Sequence, residues 1–471
     1  MFGTSGIRKV FAGFGNEKKN FTPEAALKIG LAIGTYINGG KVIVGRDIRT
    51  TALPIELAVN SGLVSTGCKV LTIGTVTTPT VAMAMKFLGA DCGIMITASH
   101  NTPEYIGLKL WNPSGLAFRP IQEETIEKIY DSQHFKTVEW DKIGTITNIP
   151  DINELHVNEI LKLLELGSKQ RPEVIIDPGN GSSYEIAPLL MKKLGCKFAT
   201  LNSNPDGTFP GRLSEPTSKN LEKLISFIKA TDTVDFGIAL DGDADRVIFI
   251  DGNGKVIEPI RMLAFLSKQL LLKDPPTNGR TYKIVTPINS SSVLESVVKP
   301  VWGEVVRSEV GDAKVAIKMQ KIRAIIGGEN CGTYIWPKFH LGPDSLVTIA
   351  TVVEILSHTT KSFTELISEI PEFLFLRKEF PLIEDIPLTK KHYTSIEKNV
   401  KEWLKSEGYH DIKTNMLDGV RLDFSDGWVM IRRSGTSPII RIECEHKNDP
   451  EKLDYINNSV AEILKNEYHL I

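Results

Sequence analysis

Short apolar runs, each closed by a Gly- or Asp-containing loop and followed by a helical pattern, recur along the first three quarters of the chain. The clearest are Lys41-Val-Ile-Val-Gly-Arg-Asp47, Cys92-Gly-Ile-Met-Ile96, Glu173-Val-Ile-Ile-Asp177, Val234-Asp-Phe-Gly-Ile-Ala-Leu240 and Arg323-Ala-Ile-Ile-Gly-Gly-Glu329. Such runs predict buried strands, and their alternation with helices predicts α/β layers with parallel or mixed sheets. The first helix is marked at both ends. Thr22-Pro23-Glu24 supplies a cap, a first-turn proline and a first-turn acid, Ala26, Ile29 and Ile33 form one apolar face, and Gly39-Gly40 is the stop. Turn residues near Ile149-Pro150-Asp151, Asp251-Gly252-Asn253 and Ile370-Pro371 interrupt the pattern. They divide the chain into three similar α/β domains, 1–150, 151–252 and 253–371. From about Phe373 the grammar changes, and Trp428-Val-Met-Ile431, a loop over Arg432-Arg-Ser-Gly-Thr-Ser-Pro438, and Ile439-Ile-Arg-Ile-Glu443 read as strand, loop, strand. A smaller α+β domain over 372–471 is expected.

Composition narrows the function classes. A chain of 471 residues exceeds one hydrophobic core, which agrees with several domains. With 41% hydrophobic and 24% charged residues it is neither disordered nor fibrous. A net charge of −2 and the lack of a basic cluster argue against a nucleic-acid partner. Cys68, Cys92, Cys196, Cys331 and Cys444 are odd in number and form no Cys-x-x-Cys pair, as expected of reduced thiols in the cytoplasm. No signal-peptide pattern opens the chain and no run of about 18 apolar residues follows, so neither secretion nor a membrane span is expected.

Chemistry concentrates in three places. Asp241-Gly-Asp243-Ala-Asp245-Arg246 places three short carboxylates at alternate positions after an apolar strand. Oxygen ligands of that kind suit a hard cation, Mg²⁺ or Ca²⁺. An EF-hand loop is excluded, because its sixth and twelfth positions hold Arg246 and Gly252 rather than Gly and Glu. Thr97-Ala-Ser99-His100-Asn101 follows a second strand and puts Ser99 at its C-terminal end, the edge where α/β sheets bind ligands. Neighbours on an extended segment point to opposite sides, so His100 is not expected to act as the base for Ser99. No Gly-x-Ser-x-Gly elbow surrounds Ser99, and Gly40-Lys41 leads into a strand rather than a phosphate-loop helix. The loop after Ile431 combines guanidinium groups, hydroxyls and a Gly, the ingredients of phosphate recognition.

Together, Phe2-Gly-Thr-Ser-Gly-Ile-Arg8, the Ser99 motif with Lys109, the aspartate motif, Gly328-Glu329-Asn-Cys331-Gly332, and Arg432-Arg-Ser-Gly-Thr436 with Arg441 resemble the motifs of the α-D-phosphohexomutase family, in its order and spacing. The resemblance implies four domains around one deep cleft. It implies a phosphorylated Ser99 lending an oxygen to one Mg²⁺ held by Asp241, Asp243 and Asp245, with Lys109 and Arg246 flanking it and Arg8 reaching the same site. His100 stays open between a structural and a catalytic role. By the same resemblance, Glu329 and Cys331 bind sugar hydroxyls, and Arg432, Ser434, Gly435, Thr436 and Arg441 hold the distal phosphate. The implied activity interconverts hexose 1-phosphate and hexose 6-phosphate, in the manner of phosphoglucomutase/phosphomannomutase. Its intermediate and activator is a hexose 1,6-bisphosphate. Phosphoglucosamine mutase activity and a non-catalytic phosphosugar-binding role are the alternatives. Several positions depart from the family pattern. Thr102 and Ile106 precede Gly107, Cys331 stands where Ser or Asn is usual, and Thr333 stands where many relatives place a His proposed as general acid/base. Ser345 and Ser437 replace the usual Gly and Glu. Sugar selectivity and the proton-transfer group are therefore left open. His340 is near enough to be considered for that transfer, with a surface histidine as the simpler expectation.

Overall fold

The computed structural model describes residues 2–3, 6–17, 19–169, 171–276, 280–383, 388–434 and 438–468. Local signals in the sequence set the first helix as expected. Helix Pro23–Ile37 begins where the Thr22 hydroxyl accepts the Ala25 N–H at 3.0 Å, and ends at Asn38 in the left-handed region.

The first sheet has seven strands, in the order Asn20–Phe21, Ile7–Phe11, Tyr105–Trp111, Cys92–Ile96, Lys41–Arg46, Lys69–Thr75 and Thr145–Asn148. It is mixed: Cys92–Ile96 runs parallel to Lys41–Arg46 and antiparallel to Tyr105–Trp111. The second sheet runs Val247–Asp251, Phe236–Leu240, Glu173–Asp177, Lys197–Thr200, and the third Gly303–Ser308, Tyr282–Pro287, Ile326–Gly328, Tyr334–Ile335. In all three, the parallel strands deliver their C-terminal ends to one side, where the chemistry-bearing loops gather.

Packing joins these three layers. A single buried cluster runs from Ile43 and Met83 through Ile176 and Ile238 to Ile284, Ile326 and Phe363. Each sheet thus buries its apolar face against a neighbouring layer. The fourth sheet is antiparallel in its pairings, in the order Leu374–Pro381, Ile439–His446, Gly427–Arg433, Val420–Phe424, Lys413–Asn415, with helices Lys390–Ser406 and Pro450–Tyr468 against it. Its core is separate, built on Ile396, Val400, Leu422, Ile431 and Ile442. The expected strand ending at Ile431 continues to Arg433, so Arg432 stands on a strand and not in the loop. Three α/β domains followed by a smaller α+β domain is the architecture expected from the sequence. Among the described residues no helix is long and apolar enough to cross a membrane.

Candidate active site

Asp241, Asp243 and Asp245 lie on the tight turn between the antiparallel strands Phe236–Leu240 and Val247–Asp251. All three are buried, and one oxygen of each lies within 4.8 Å of the others. Packing of this kind is unfavourable without compensating positive charge. Burial first, then the charges of Asp245 and Asp243, push Asp241 well above the ordinary carboxylate range. Asp245 is also raised, by burial and by Asp243. Asp243 is held low. Burial would raise it, but the Lys109 ammonium at 2.7 Å and the Thr78 hydroxyl at 2.6 Å outweigh that. Lys109 also reaches Asp245, at 2.5 Å. The remaining oxygens, Asp243 Oδ1 and Asp245 Oδ1, are buried with no partner among the described residues. A compact, all-oxygen donor set with orphaned lone pairs fits a hard divalent cation.

Neighbouring loops fix the turn. Ser182 donates through its N–H and its hydroxyl to the Gly242 carbonyl, and the Gly242 N–H donates to Ser214 Oγ at 3.1 Å. Thr78 N–H donates to the Asp243 carbonyl at 2.9 Å, and Ser345 Oγ to that of Ala244 at 2.5 Å. Thr78 and Ser345 open helices Thr78–Leu88 and Ser345–Leu356, so the first and third layers both grip a loop of the second.

Ser99 meets this loop from the first layer. Its hydroxyl lies 3.2 Å from Asp241 Oδ2, a donor's distance. Its backbone is left-handed, with φ 53°. That conformation overturns one sequence expectation, since it swings the two side chains together and leaves Ser99 Oγ 3.3 Å from His100 Nδ1. Burial, then Arg246, Arg8 and Lys109, depress His100 to about 3, so the ring is neutral near pH 7. Arg8, on strand Ile7–Phe11 opposite Gly107, contributes to that field, and its Nε is buried without a partner among the described residues. Arg246 hydrogen-bonds Glu215 at 3.2 Å, and its N–H donates to Asp241 Oδ1 at 3.1 Å. The structure therefore brings Ser99, His100, Arg8, Lys109, Arg246 and the three aspartates to one point.

Glu329 and Cys331 approach from the third layer. The loop seats against the aspartate hairpin through Val247 N–H and the Gly332 carbonyl at 3.0 Å. Gly332, at φ 93°, lets the chains come this close, because a Cβ there would stand 2.7 Å from the Val247 carbonyl oxygen. Glu329 Oε1 accepts the Gly311 N–H at 2.9 Å, and Cys331 Sγ lies 3.7 Å from Thr333 Oγ1. Burial, then Asp312, push Glu329 up to about 7, and burial pushes the Cys331 thiol up to about 11. His340 is not a surface residue. It is buried, and with His156 it hydrogen-bonds Asp344 Oδ2, at 2.9 and 3.2 Å.

Arg432, Ser434 and Arg441 stand on or beside two of the inner strands of the fourth sheet, not on a solvated edge. Arg432 and Arg441 are cross-strand partners, each paired with an acid, Asp418 at 2.9 Å and Glu379 at 3.0 Å. Like charges directly opposite each other are destabilising, so anionic compensation between them is favourable. Gly435 and Thr436 lie outside the described residues.

Sequence reading missed Arg49, Thr78, Ser214, Gly311 and Asp312. Arg49, Thr78 and Gly311 share one signal, a position three residues past the C-terminal end of a strand: Lys41–Arg46, Lys69–Thr75 and Gly303–Ser308 respectively. Ser214 lies in an irregular stretch with no period to read.

Comparison with known proteins agrees with this architecture. Phosphoglucomutase/phosphomannomutase family models match domain by domain: alpha/beta/alpha domain I over residues 1–137, domain II over 154–254, domain III over 259–373 and the C-terminal domain over 396–463. A probable phosphoglucosamine mutase of Thermococcus kodakarensis is 40% identical, covering 96% of this chain and 95% of its own. A phosphoglucomutase/phosphomannomutase of the same organism is 38% identical, covering 97% and 96%. The crystal structure of a phosphoglucomutase/phosphomannomutase family protein from Burkholderia thailandensis superposes with a TM-score of 0.84 at 26% identity, covering 99% of this chain and 98% of that one. The chain belongs to the phosphoglucomutase/phosphomannomutase family, within the α-D-phosphohexomutases. It is an enzyme of the isomerase class, a phosphosugar mutase.

Proposed function

We propose that this mutase interconverts hexose 1-phosphate and hexose 6-phosphate by way of a phosphorylated Ser99. The observation that carries the reading is the meeting of Ser99 Oγ with the buried carboxylate triad, ringed by Lys109, Arg246 and Arg8. In the forward half, the free hydroxyl of the sugar phosphate attacks the phosphoserine phosphorus, the P–Oγ bond breaks, and a hexose 1,6-bisphosphate forms. After the sugar turns over, Ser99 Oγ takes the other phosphoryl group and the isomeric monophosphate leaves. A Mg²⁺ held by Asp241, Asp243 and Asp245 would offset charge on the transferring group. Lys109 and Arg246 add fixed positive field there, and neutral His100 adds no charge of its own. Arg432, Ser434, Gly435, Thr436 and Arg441 hold the phosphate that is not reacting, and binding energy at that end orients the other. Added bisphosphate is the activator, because it reloads Ser99.

Glu329 and Cys331 face the sugar. One observation favours an amino sugar over glucose or mannose: the Asp312 carboxylate stands beside Glu329, the residue that the family resemblance assigns to the sugar hydroxyls. Two neighbouring acids attract a sugar ammonium as they do not attract a hydroxyl. Relatives bearing the two names are 40% and 38% identical, a difference too small for identity to decide between them. Turnover of glucosamine, glucose and mannose 1-phosphates with Mg²⁺ and the matching bisphosphate tests both points. Glucosamine phosphate is expected to have the highest kcat/KM, with that advantage reduced in Asp312→Asn. Equal use of all three sugars would refute the selectivity, and absence of turnover on any would refute the mutase reading.

A further inference from the structure

Arg49 makes no hydrogen bond to Asp241, Asp243 or Asp245, yet it is 2% exposed and all five of its side-chain N–H groups are engaged. Nε donates to Asp47 Oδ2 at 3.1 Å. Nη1 donates to the carbonyls of Thr102 and Tyr105, at 2.6 and 3.0 Å, and Nη2 to those of Ser99 and Asn101, at 2.8 and 2.7 Å. One planar group therefore gathers four carbonyls of the loop that carries Ser99. Asp47 completes the frame, accepting from Thr97 Oγ1 at 2.7 Å, while the Ser99 N–H donates to that same hydroxyl at 2.8 Å. From the second layer Ser214 Oγ donates to the Ser99 carbonyl at 2.9 Å, and the Phe209 ring lies 5.1 Å from the guanidinium carbon.

We propose that Arg49 is a positioning residue for the phosphoryl transfer, holding Ser99 in its left-handed conformation with Oγ aimed at Asp241; this rests on the phosphoserine reading above. A serine at φ 53° is held by its surroundings, since a non-Gly residue gains nothing intrinsic there. Its N–H is tied through Thr97 to Asp47, and its carbonyl is tied by Arg49 together with Ser214. Because Asp47 neutralises the guanidinium at contact distance, what Arg49 supplies is geometry and not field. Lysine cannot replace it. An ammonium has three donors on a point, against five in a fixed fork.

The test compares the parent with Arg49→Lys, and with Thr97→Val, which removes the strut without touching a charge. All are assayed at a temperature where circular dichroism shows each protein folded. Displacing a reacting group by about 1 Å costs on the order of a hundredfold, so kcat is expected to fall by about that factor in Arg49→Lys, with KM within about threefold. Thr97→Val is expected to lose about tenfold in kcat, again with little change in KM, and it decides the matter should Arg49→Lys not fold. Loading of Ser99 by bisphosphate should slow in parallel in both. A folded variant of either kind with kcat within about threefold of the parent overturns the proposal. Ser99→Ala, assayed alongside, separates the two levels. If it is inactive while Arg49→Lys is unimpaired, only the positioning role falls; if it retains turnover, the phosphoserine reading itself falls.

Discussion

Asp243 has one oxygen shared by Thr78 and Lys109 and the other buried without a partner among the described residues. Asp243→Asn removes the charge and keeps the shape. Turnover is expected to fall about a hundredfold or more, the scale of losing one preorganised electrostatic group, and saturating Mg²⁺ should restore only part of it. Steady-state rates with and without chelator check this, and a parent enzyme indifferent to chelator would contradict it. Glu329 gives a pH test. Its folded value lies near 7, raised by burial and then by Asp312. A raised acid binds its proton more tightly in the folded state, so the charged carboxylate costs stability that is absent at low pH and fully felt above about 7. Glu329→Gln should therefore raise the unfolding temperature at about pH 8 more than at about pH 5. Equal shifts at both pH values would refute it. The aspartates and Ser99 were legible in the sequence, because short polar side chains just past apolar strands can only meet at a sheet edge. The Ser99–His100 contact was not. It depends on a left-handed backbone imposed by Asp47, Arg49 and Ser214, the last from a different layer.

At the scale of elements, the aspartate turn is gripped by two helix starts. Thr78 begins one, and Asp344-Ser345 the other. Asp344 Oδ1 caps its helix by accepting the N–H groups of Leu346 and Val347, at 2.8 and 2.9 Å, while Oδ2 accepts from both His156 and His340. Since Gly342 N–H donates to His340 Nδ1, the His340 proton sits on Nε2 and points at Asp344. Burial alone would raise this carboxyl, and the two imidazoles outweigh it and hold it below the ordinary range. Its contribution to stability is thus present at neutral pH and is lost as pH falls through the lowered value. Asp344→Ala strands two buried imidazoles and two helix N–H groups, and should cost about 3–5 kcal/mol in denaturant unfolding at neutral pH. A cost below about 1 kcal/mol would mean the network is not holding the layers. Helix Pro23–Ile37 could be read in advance because its cap, first-turn proline and stop are all local. His340 was misread because its burial depends on Asp344 and on helix Ile152–Leu161, which brings His156 from 188 residues away in the chain.

At the scale of the whole molecule, one core unites the first three layers, and the fourth keeps its own. Much of the joint between them is polar. Ile288, Trp428 and Met430 form its apolar centre, Arg421 donates to the carbonyls of Ile288 and Ser290 and stacks 4.1 Å over Trp428, and Asp418 accepts both Val310 N–H and Arg432. The proposed mechanism requires a substrate to span Ser99 and the Arg432–Arg441 pair, with this body closing over it. Removing one arginine should weaken substrate binding by about 1.5–3 kcal/mol and lower kcat as well, because distal binding energy orients the reacting end. Unchanged steady-state constants in the Arg432→Ala, Arg441→Ala double variant would detach the fourth domain from the site. The four-domain plan itself was legible, since alternating strands and helices followed by a change of grammar admit few arrangements. The proposed sugar preference was not, because Asp312 stands beside Glu329 only once the strands ending at Ser308 and Gly328 flank Tyr282–Pro287 in the third sheet. The most direct test of the account is to incubate the protein with hexose 1,6-bisphosphate and Mg²⁺ and map phosphate by peptide mass spectrometry. The account predicts a single phosphate, on Ser99, that is lost to added hexose monophosphate and never forms in an inactive Ser99→Ala; phosphate on another residue, or full turnover without Ser99, would contradict it.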